Sequence, residues 1–210
     1  MTDLMNALFV VLLTLNLFAL GNGRILSIIR IVAAQGVLLG VLPLLLHEHP
    51  TFPAILSSAA AITLKGIVIP FIMAKALRDA QIKREVEPLV GLLPSTVLGA
   101  LVTALAFLVF GRAGSAGASL IIPTSITTVL VGFILLTTRF KALSQVLGYL
   151  VLENGIYIFS LLLVEAVPLV VEMGMLLDLF VSVFIVSIIT NHINRAFSSL
   201  DTRRLASLKE

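Results

Sequence analysis

Apolar residues along this chain come in seven long runs, at about 4–21, 25–46, 53–77, 89–110, 120–138, 143–164 and 167–190. Each run is closed by turn chemistry or charge: Gly21-Asn22-Gly23, His47-Glu48-His49-Pro50, Arg78 to Pro88, Gly111 to Gly117, Arg139 to Lys141, and Glu165 to Pro168. About 20 apolar residues in helical form match the hydrocarbon thickness of a bilayer, and every run is near that length. Strands are far shorter, and only helices or closed barrels satisfy their backbone in lipid. The pattern therefore predicts an all-α integral membrane protein with seven transmembrane helices.

Composition agrees. Of 210 residues, 59% are hydrophobic and 12% charged, with a mean hydropathy of +1.15. Soluble domains carry about 25% charge, so too little polar surface is left here to cover a globule in water. Seven spans of about 20 residues use roughly 140, which excludes a separate soluble domain of useful size. There is no cysteine, which excludes disulfides, thiolate zinc sites and cysteine-ligated iron–sulfur clusters within the chain. Met1 to Asn6 holds Asp3 and no basic residue, unlike the basic start of a cleavable signal peptide; the first run reads as a retained span.

A pI near 9.6 in a soluble protein would suggest nucleic acid. Here the basic residues serve topology instead, and no nucleic-acid partner is expected. One side of the predicted membrane collects Arg24, Arg30, Lys75, Arg78, Lys83, Arg84, Arg139, Lys141, Arg195, Arg203, Arg204 and Lys209, and the other has only Arg112. An odd number of spans produces that alternation, and basic loops stay cytoplasmic. The expected orientation has the N-terminus outside and the C-terminus in the cytoplasm. The loop from Arg78 to Pro88 reads as a solvated connector or a docking surface, and Gly36-Val37-Leu38-Leu39-Gly40 fits the small-residue spacing of close helix packing.

The informative residues are ionisable groups far from both interfaces. Lys65 falls near the middle of the third span, Glu153 of the sixth and Asp178 of the seventh, with Glu172 nearer the outer end of the seventh. Each such charge costs about 2.5–3.5 kcal/mol on insertion scales. A buried lysine and carboxylate can pair and titrate as a coupled unit, which serves either a proton or ion relay or a static clamp between helices. At helical spacing Gln145, Tyr149, Glu153, Tyr157 and Ser160 form one polar stripe, with Tyr149 and Tyr157 flanking the acid. Asp178 shares a face with Ser182, and Glu172 does not. His47 and His49 read as a solvated turn rather than a metal pair. His192 suits the C-terminal dipole of the last helix.

Gly148-Tyr149-Leu150-Val151-Leu152-Glu153-Asn154-Gly155, then Val171-Glu172-Met173-Gly174 and Asp178, resembles the component E subunit of hydrogenase-4 and formate hydrogenlyase-type complexes. Ile62-Thr63-Leu64-Lys65-Gly66 leading to Pro70-Phe71-Ile72-Met73, and the tail from Leu200-Asp201 to Leu208-Lys209, are similar too. The last three spans also resemble the K subunit of respiratory complex I and the C subunit of Mrp-type cation/proton antiporters. In that family two consecutive helices each carry a buried acid on the proton route. Glu153 matches the first; Asp178 is nearest the second, offset by a residue or two and with Asp for Glu, so that Asp178 and Glu172 both stand as candidates.

The resemblance implies a division into a four-helix N-terminal extension, 1–119, and a K-subunit-like region with a cytoplasmic tail, 120–210. It implies a non-catalytic subunit of a redox-driven, complex I-related assembly in a prokaryotic cytoplasmic (inner) membrane. Lys65, Glu153, Asp178 and Glu172 would then carry ion translocation, supported by Tyr149, Tyr157, Asn154 and Ser182. Nickel–iron and iron–sulfur centres are expected on partner subunits and no cofactor in this chain. Implied partners are antiporter-like and complex I H-subunit-like membrane subunits and peripheral hydrogenase-like subunits, beside the lipid bilayer. Alternatives are a purely structural membrane-arm subunit and a stand-alone or Mrp-type antiporter. A retinal protein is disfavoured, because the intramembrane lysine is in the third span and the chain has no tryptophan.

Overall fold

The computed structural model describes residues 2–46, 52–79, 89–111 and 120–162. Helices α1 (Thr2–Gly21) and α2 (Ile25–Leu46) form an antiparallel pair around a tight turn. Next comes a rod of three segments: α3 (Phe52–Ala61), a π-helical stretch (Ile62–Val68) and α4 (Ile69–Asp79). Helices α5 (Leu92–Phe110), α6 (Ile121–Thr138) and α7 (Ala142–Ser160) follow. Five stretches among the described residues are long and apolar enough to cross a bilayer: Asp3–Gly21, Ile25–Leu45, Ser58–Arg78, Leu92–Phe110 and Ile121–Thr138. The sixth predicted span, 143–164, appears as α7, 19 residues long and thus about 28 Å at 1.5 Å per residue. Gln145, Glu153 and Asn154 make it more polar than the other five. The seventh run lies outside the described residues, as do Arg112, His47, His49, His192, the 80–88 loop and the tail.

On α5 and part of α6 the packing departs from that of a soluble bundle. The buried residues of α5 are Ser95, Gly99 and Ala106, while Leu93, Leu101, Leu105 and Leu108 face outward. Helix α6 buries Thr124, Ser125, Thr127, Thr128 and Gly132 alongside Ile121, Val131, Ile134 and Leu135, and turns Leu130 and Phe133 out. Small and hydroxyl residues inside with bulky apolar ones outside is the arrangement hydrocarbon solvent favours, because lipid already satisfies Leu and Phe and close helix approach supplies the dispersion energy. At Gly132 the approach is extreme: a Cβ there would run into the backbone nitrogen of Leu152 and lie 2.5 Å from its Cα. Helices α6 and α7 accordingly share the most extensive contact in the bundle. This is an integral membrane protein.

Both helix turns meet at one end. Arg139 donates from Nη2 to the Leu20 carbonyl at 2.8 Å, and Leu89 N–H bonds to the Thr138 carbonyl at 2.8 Å. A Cβ on Gly23 would touch Leu92 at 3.3 Å. The α1–α2 turn, the start of α5 and the α6–α7 turn therefore lie together, as up-and-down threading requires. Arg24, Arg30, Lys75 and Arg78 are exposed, as interface cations should be. Arg139 differs. Counted in the sequence with those loop cations, it is fully buried, and its guanidinium binds a C-terminal carbonyl of α1, where the helix dipole favours a cation. Burial pulls that guanidinium below its ordinary value.

Two apolar clusters fill the interior. One, toward the turn end, includes Leu20, Ile25, Ile28, Met73, Leu135 and Leu147. The other contains Phe9, Leu12, Leu39, Leu42, Ile121, Tyr157 and Ile158. On α1, α2, α6 and α7 the buried polar residues Asn16, Gln35, Thr128, Glu153 and Asn154 fall between these clusters. The bundle is thus two apolar layers with a polar layer at mid-depth.

Candidate functional site

Lys65 is the central residue of the π-helical stretch. The local cause is in the sequence. Ile69 N–H bonds to the Leu64 carbonyl, five residues back, and Pro70 has no N–H to offer the Lys65 carbonyl. Buried Ile69, Met73 and Leu77 hold α4 in the bundle, and the ladder absorbs the misfit as wider turns. On the facing side, Gly36 of α2 lies against this backbone: a Cβ there would be 2.7 Å from both the carbonyl carbon and oxygen of Lys65. Any larger residue would push the rod away.

From this backbone the Lys65 side chain reaches α7. Its Nζ lies 2.9 Å from Glu153 Oε1, with the two side chains 13% and 3% exposed. The same ammonium lies 5.0 Å from the centroid of the Tyr157 ring, on the next turn of α7, within range of a cation–π contact. Glu153 and Tyr157 thus hold one cation from two successive turns of one helix face. A cavity of about 10 Å³, near the lower limit for one water, is lined by Val32, Lys65, Ile69, Leu150, Glu153 and Asn154.

Beside the ion pair runs a chain of side-chain amides. Asn154 Nδ2 donates to Gln35 Oε1 at 3.3 Å. Gln35 Nε2 donates to Asn16 Oδ1 at 2.8 Å, and Asn16 Nδ2 to Thr128 Oγ1 at 2.8 Å. The Thr128 hydroxyl completes the series on the Thr124 carbonyl at 2.7 Å. Asn16, Gln35, Thr128 and Asn154 are all buried, so each bond offsets a desolvation penalty of about 1–3 kcal/mol per polar group. The series joins α7, α2, α1 and α6. All its donors point the same way, from the neighbourhood of the ion pair toward α6, so the bonds polarise one another. Among the described residues no cluster of His, Asp or Glu has the makings of a metal site.

Comparison with known proteins adds a lineage. No family model matches the chain, and no solved structure matches it significantly. Over 189 residues it is 32% identical to Uncharacterized protein Rv0085 of Mycobacterium tuberculosis (strain ATCC 25618 / H37Rv), covering 88% of this chain and 86% of the other. This chain belongs to the same family as that mycobacterial protein. It is also similar, at 26% identity over 155 residues and 72% of both chains, to Hydrogenase-4 component E of Escherichia coli (strain K12). The same figures hold for Hydrogenase-4 component E of Shigella flexneri.

Of the residues singled out in the sequence, the structure brings Lys65, Glu153, Asn154 and Tyr157 of this family member together at mid-depth. Tyr149 lies on the same helix one turn before Glu153, half-buried. Gln145 and Ser160, at the ends of the stripe, bond locally instead, to the Arg139 carbonyl at 2.9 Å and the Tyr157 carbonyl at 2.7 Å. Asp178, Glu172 and Ser182 lie outside the described residues. Sequence reasoning missed Asn16, Gln35 and Thr128. The signal was there: a lone amide in mid-run of two otherwise apolar spans demands a partner as surely as a charge does.

Proposed function

We propose that this chain is a non-catalytic membrane subunit of a complex I-related, redox-driven assembly, and that Lys65 and Glu153 take part in moving protons or sodium ions across the membrane. The similarity to a hydrogenase-4 membrane component supports the first part. The second rests on one observation, the buried Lys65–Glu153 pair 2.9 Å apart at mid-depth. Two opposite charges in low dielectric titrate as one coupled unit. A small increase in separation, or water entering between them, changes which of them holds the proton. Tyr157 steadies the ammonium, and Asn154 lines the cavity beside the acid. Asp178 or Glu172, with Ser182, would continue the route in the next helix, and Tyr149 would line it toward the turn end.

The energetic scale fits. One charge crossing 100 mV is worth about 2.3 kcal/mol, comparable to the cost of holding one of these side chains unpaired in the membrane. Redox chemistry belongs to partner subunits bearing nickel–iron and iron–sulfur centres, with antiporter-like and H-subunit-like neighbours in a prokaryotic inner membrane. The orientation has the N-terminus outside.

A second reading, a structural clamp, is favoured by the amide series, which ties four helices together without any titratable member. Glu153→Gln separates the two. If the pair moves ions, the variant complex assembles and turns over but loses ion movement per electron. If the pair is a clamp, complex recovery falls while ion movement per intact complex stays normal.

A further inference from the structure

We infer that Gln35 and Gly36, adjacent residues of α2, are positioning residues that set the separation of Lys65 from Glu153. The inference rests on the translocation reading above for its purpose, but not for its geometry.

Consecutive residues of a helix point about 100° apart, so two neighbours on one turn face two different elements. Gln35 faces α7 and α1: its carbonyl oxygen accepts from Asn154, the residue after Glu153, at 3.3 Å, and its amide nitrogen is held by Asn16 at 2.8 Å. Gly36 faces the π-helical stretch, where its missing side chain admits the Lys65 backbone itself. One turn of α2 therefore touches the supports of both charges. It holds the acid's helix by hydrogen bonds and the cation's helix by direct backbone contact.

The contact at Gly36 has no adjustable side chain in it. One turn further on, Gly40 lies against the same rod: a Cβ there would run into the Ile62 side chain and lie 3.0 Å from the Ile62 nitrogen and 3.2 Å from the Ser58 carbonyl oxygen. The rod is thus seated at two levels along α2, and the position of Lys65 follows from where α2 stands. The Gln35 side chain is in turn fixed at both ends, since its acceptor and donor are both engaged. A rotation or slide of α2 cannot leave the ion pair unchanged. An added separation of about 1 Å takes the 2.9 Å contact out of hydrogen-bonding range.

A purely structural role for Gln35 and Gly36 would move stability and nothing else. A positioning role moves the proton affinity of Glu153 and the ion movement that depends on it. The test uses the assembled complex in sealed membrane vesicles, with the wild type, Q35L, G36A, the length-swapped pair N16Q/Q35N, E153Q, and L101A as a control on the exposed face of α5. Three quantities are read: redox turnover, ion movement per electron by acridine-dye quenching and sodium-22 uptake, and the pH midpoint of the Glu153 carboxyl infrared band, identified by its absence in E153Q.

The expected result is a midpoint shifted by about one pH unit or more in Q35L and in G36A, a tenfold change in proton affinity. Ion movement per electron falls at least about threefold, a smaller effect than the same factor of ten would give, while turnover is unchanged. N16Q/Q35N, which preserves the summed reach from α1 to α7, recovers the wild-type midpoint, and L101A never departs from it. An unshifted midpoint in both Q35L and G36A overturns the inference, whatever the ion assay gives. Full ion movement in E153Q overturns the translocation reading alone, and the infrared midpoints still decide for or against Gln35 and Gly36.

Discussion

Replacing Lys65 with methionine removes one partner of a buried pair and leaves Glu153, 3% exposed, facing an apolar neighbour. Breaking a buried ion pair from one side costs about 3–5 kcal/mol, and loss of the ring contact with Tyr157 is part of that cost. Glu153→Gln costs less, because the remaining ammonium keeps the Tyr157 ring and gains an amide oxygen as acceptor. The double variant K65M/E153Q removes both charges, and replacing a whole buried pair is often close to neutral. The double-mutant cycle should therefore return a coupling at least as large as the K65M penalty, about 3–5 kcal/mol, above the usual range for contacting residues. For a chain of this size about 1 kcal/mol shifts the midpoint by about 2–4 °C, so K65M should melt roughly 6–20 °C below the wild type. The chain has no tryptophan, so circular dichroism in detergent is the suitable readout. A K65M melt within 2 °C of wild type, on the same scale of about 2–4 °C per kcal/mol, would refute the reasoning. So would single penalties that simply add in the double variant.

Three further outcomes are expected. Asn16→Leu leaves both Gln35 and Thr128 short of a partner inside the bundle and should cost about 1–3 kcal/mol; N16L/Q35L should cost less than the sum of its singles, which chemical unfolding in mixed micelles measures. Gly132→Leu drives a side chain into the Leu152 backbone and should part α6 from α7, at a cost above the usual 1–3 kcal/mol of overpacking; the yield of folded protein after extraction reads it. Arg139→Leu strips the Leu20 carbonyl of its charged donor, a bond class worth about 1.5–3 kcal/mol, so hydrogen exchange should rise in the last turn of α1 and not in α5.

Much of the fold was legible because lipid imposes one rule on every span. The runs at 25–46 and 120–138 return as Ile25–Leu46 and Ile121–Thr138, and the run at 53–77 as a rod from Phe52 to Asp79. A buried lysine–carboxylate pair was legible as chemistry, but the sequence leaves the choice between Glu153 and Asp178 open, and the structure pairs Lys65 with Glu153. The π-helical turn was not: Pro70 marks a missing donor, but whether a helix kinks, breaks or widens there depends on what α2 presses against it. The amides at Asn16 and Gln35 escaped a search aimed at charges, although burial makes the same demand of a carboxamide. For Arg139 the count of loop cations speaks only to the side of the membrane. Charge alone places an arginine at the interface, and only tertiary structure shows a helix end waiting to receive it.

The amide series also bears on where charge does not go. Hydroxyls and waters pass a proton along by giving one and taking another, whereas a carboxamide nitrogen surrenders its hydrogen only through a high-energy imidic form. The link from Asn154 through Gln35 and Asn16 to Thr128 is therefore polar without being conductive. It ties α7, α2, α1 and α6 together through buried polar contacts without giving a proton a continuous series of groups to hop along.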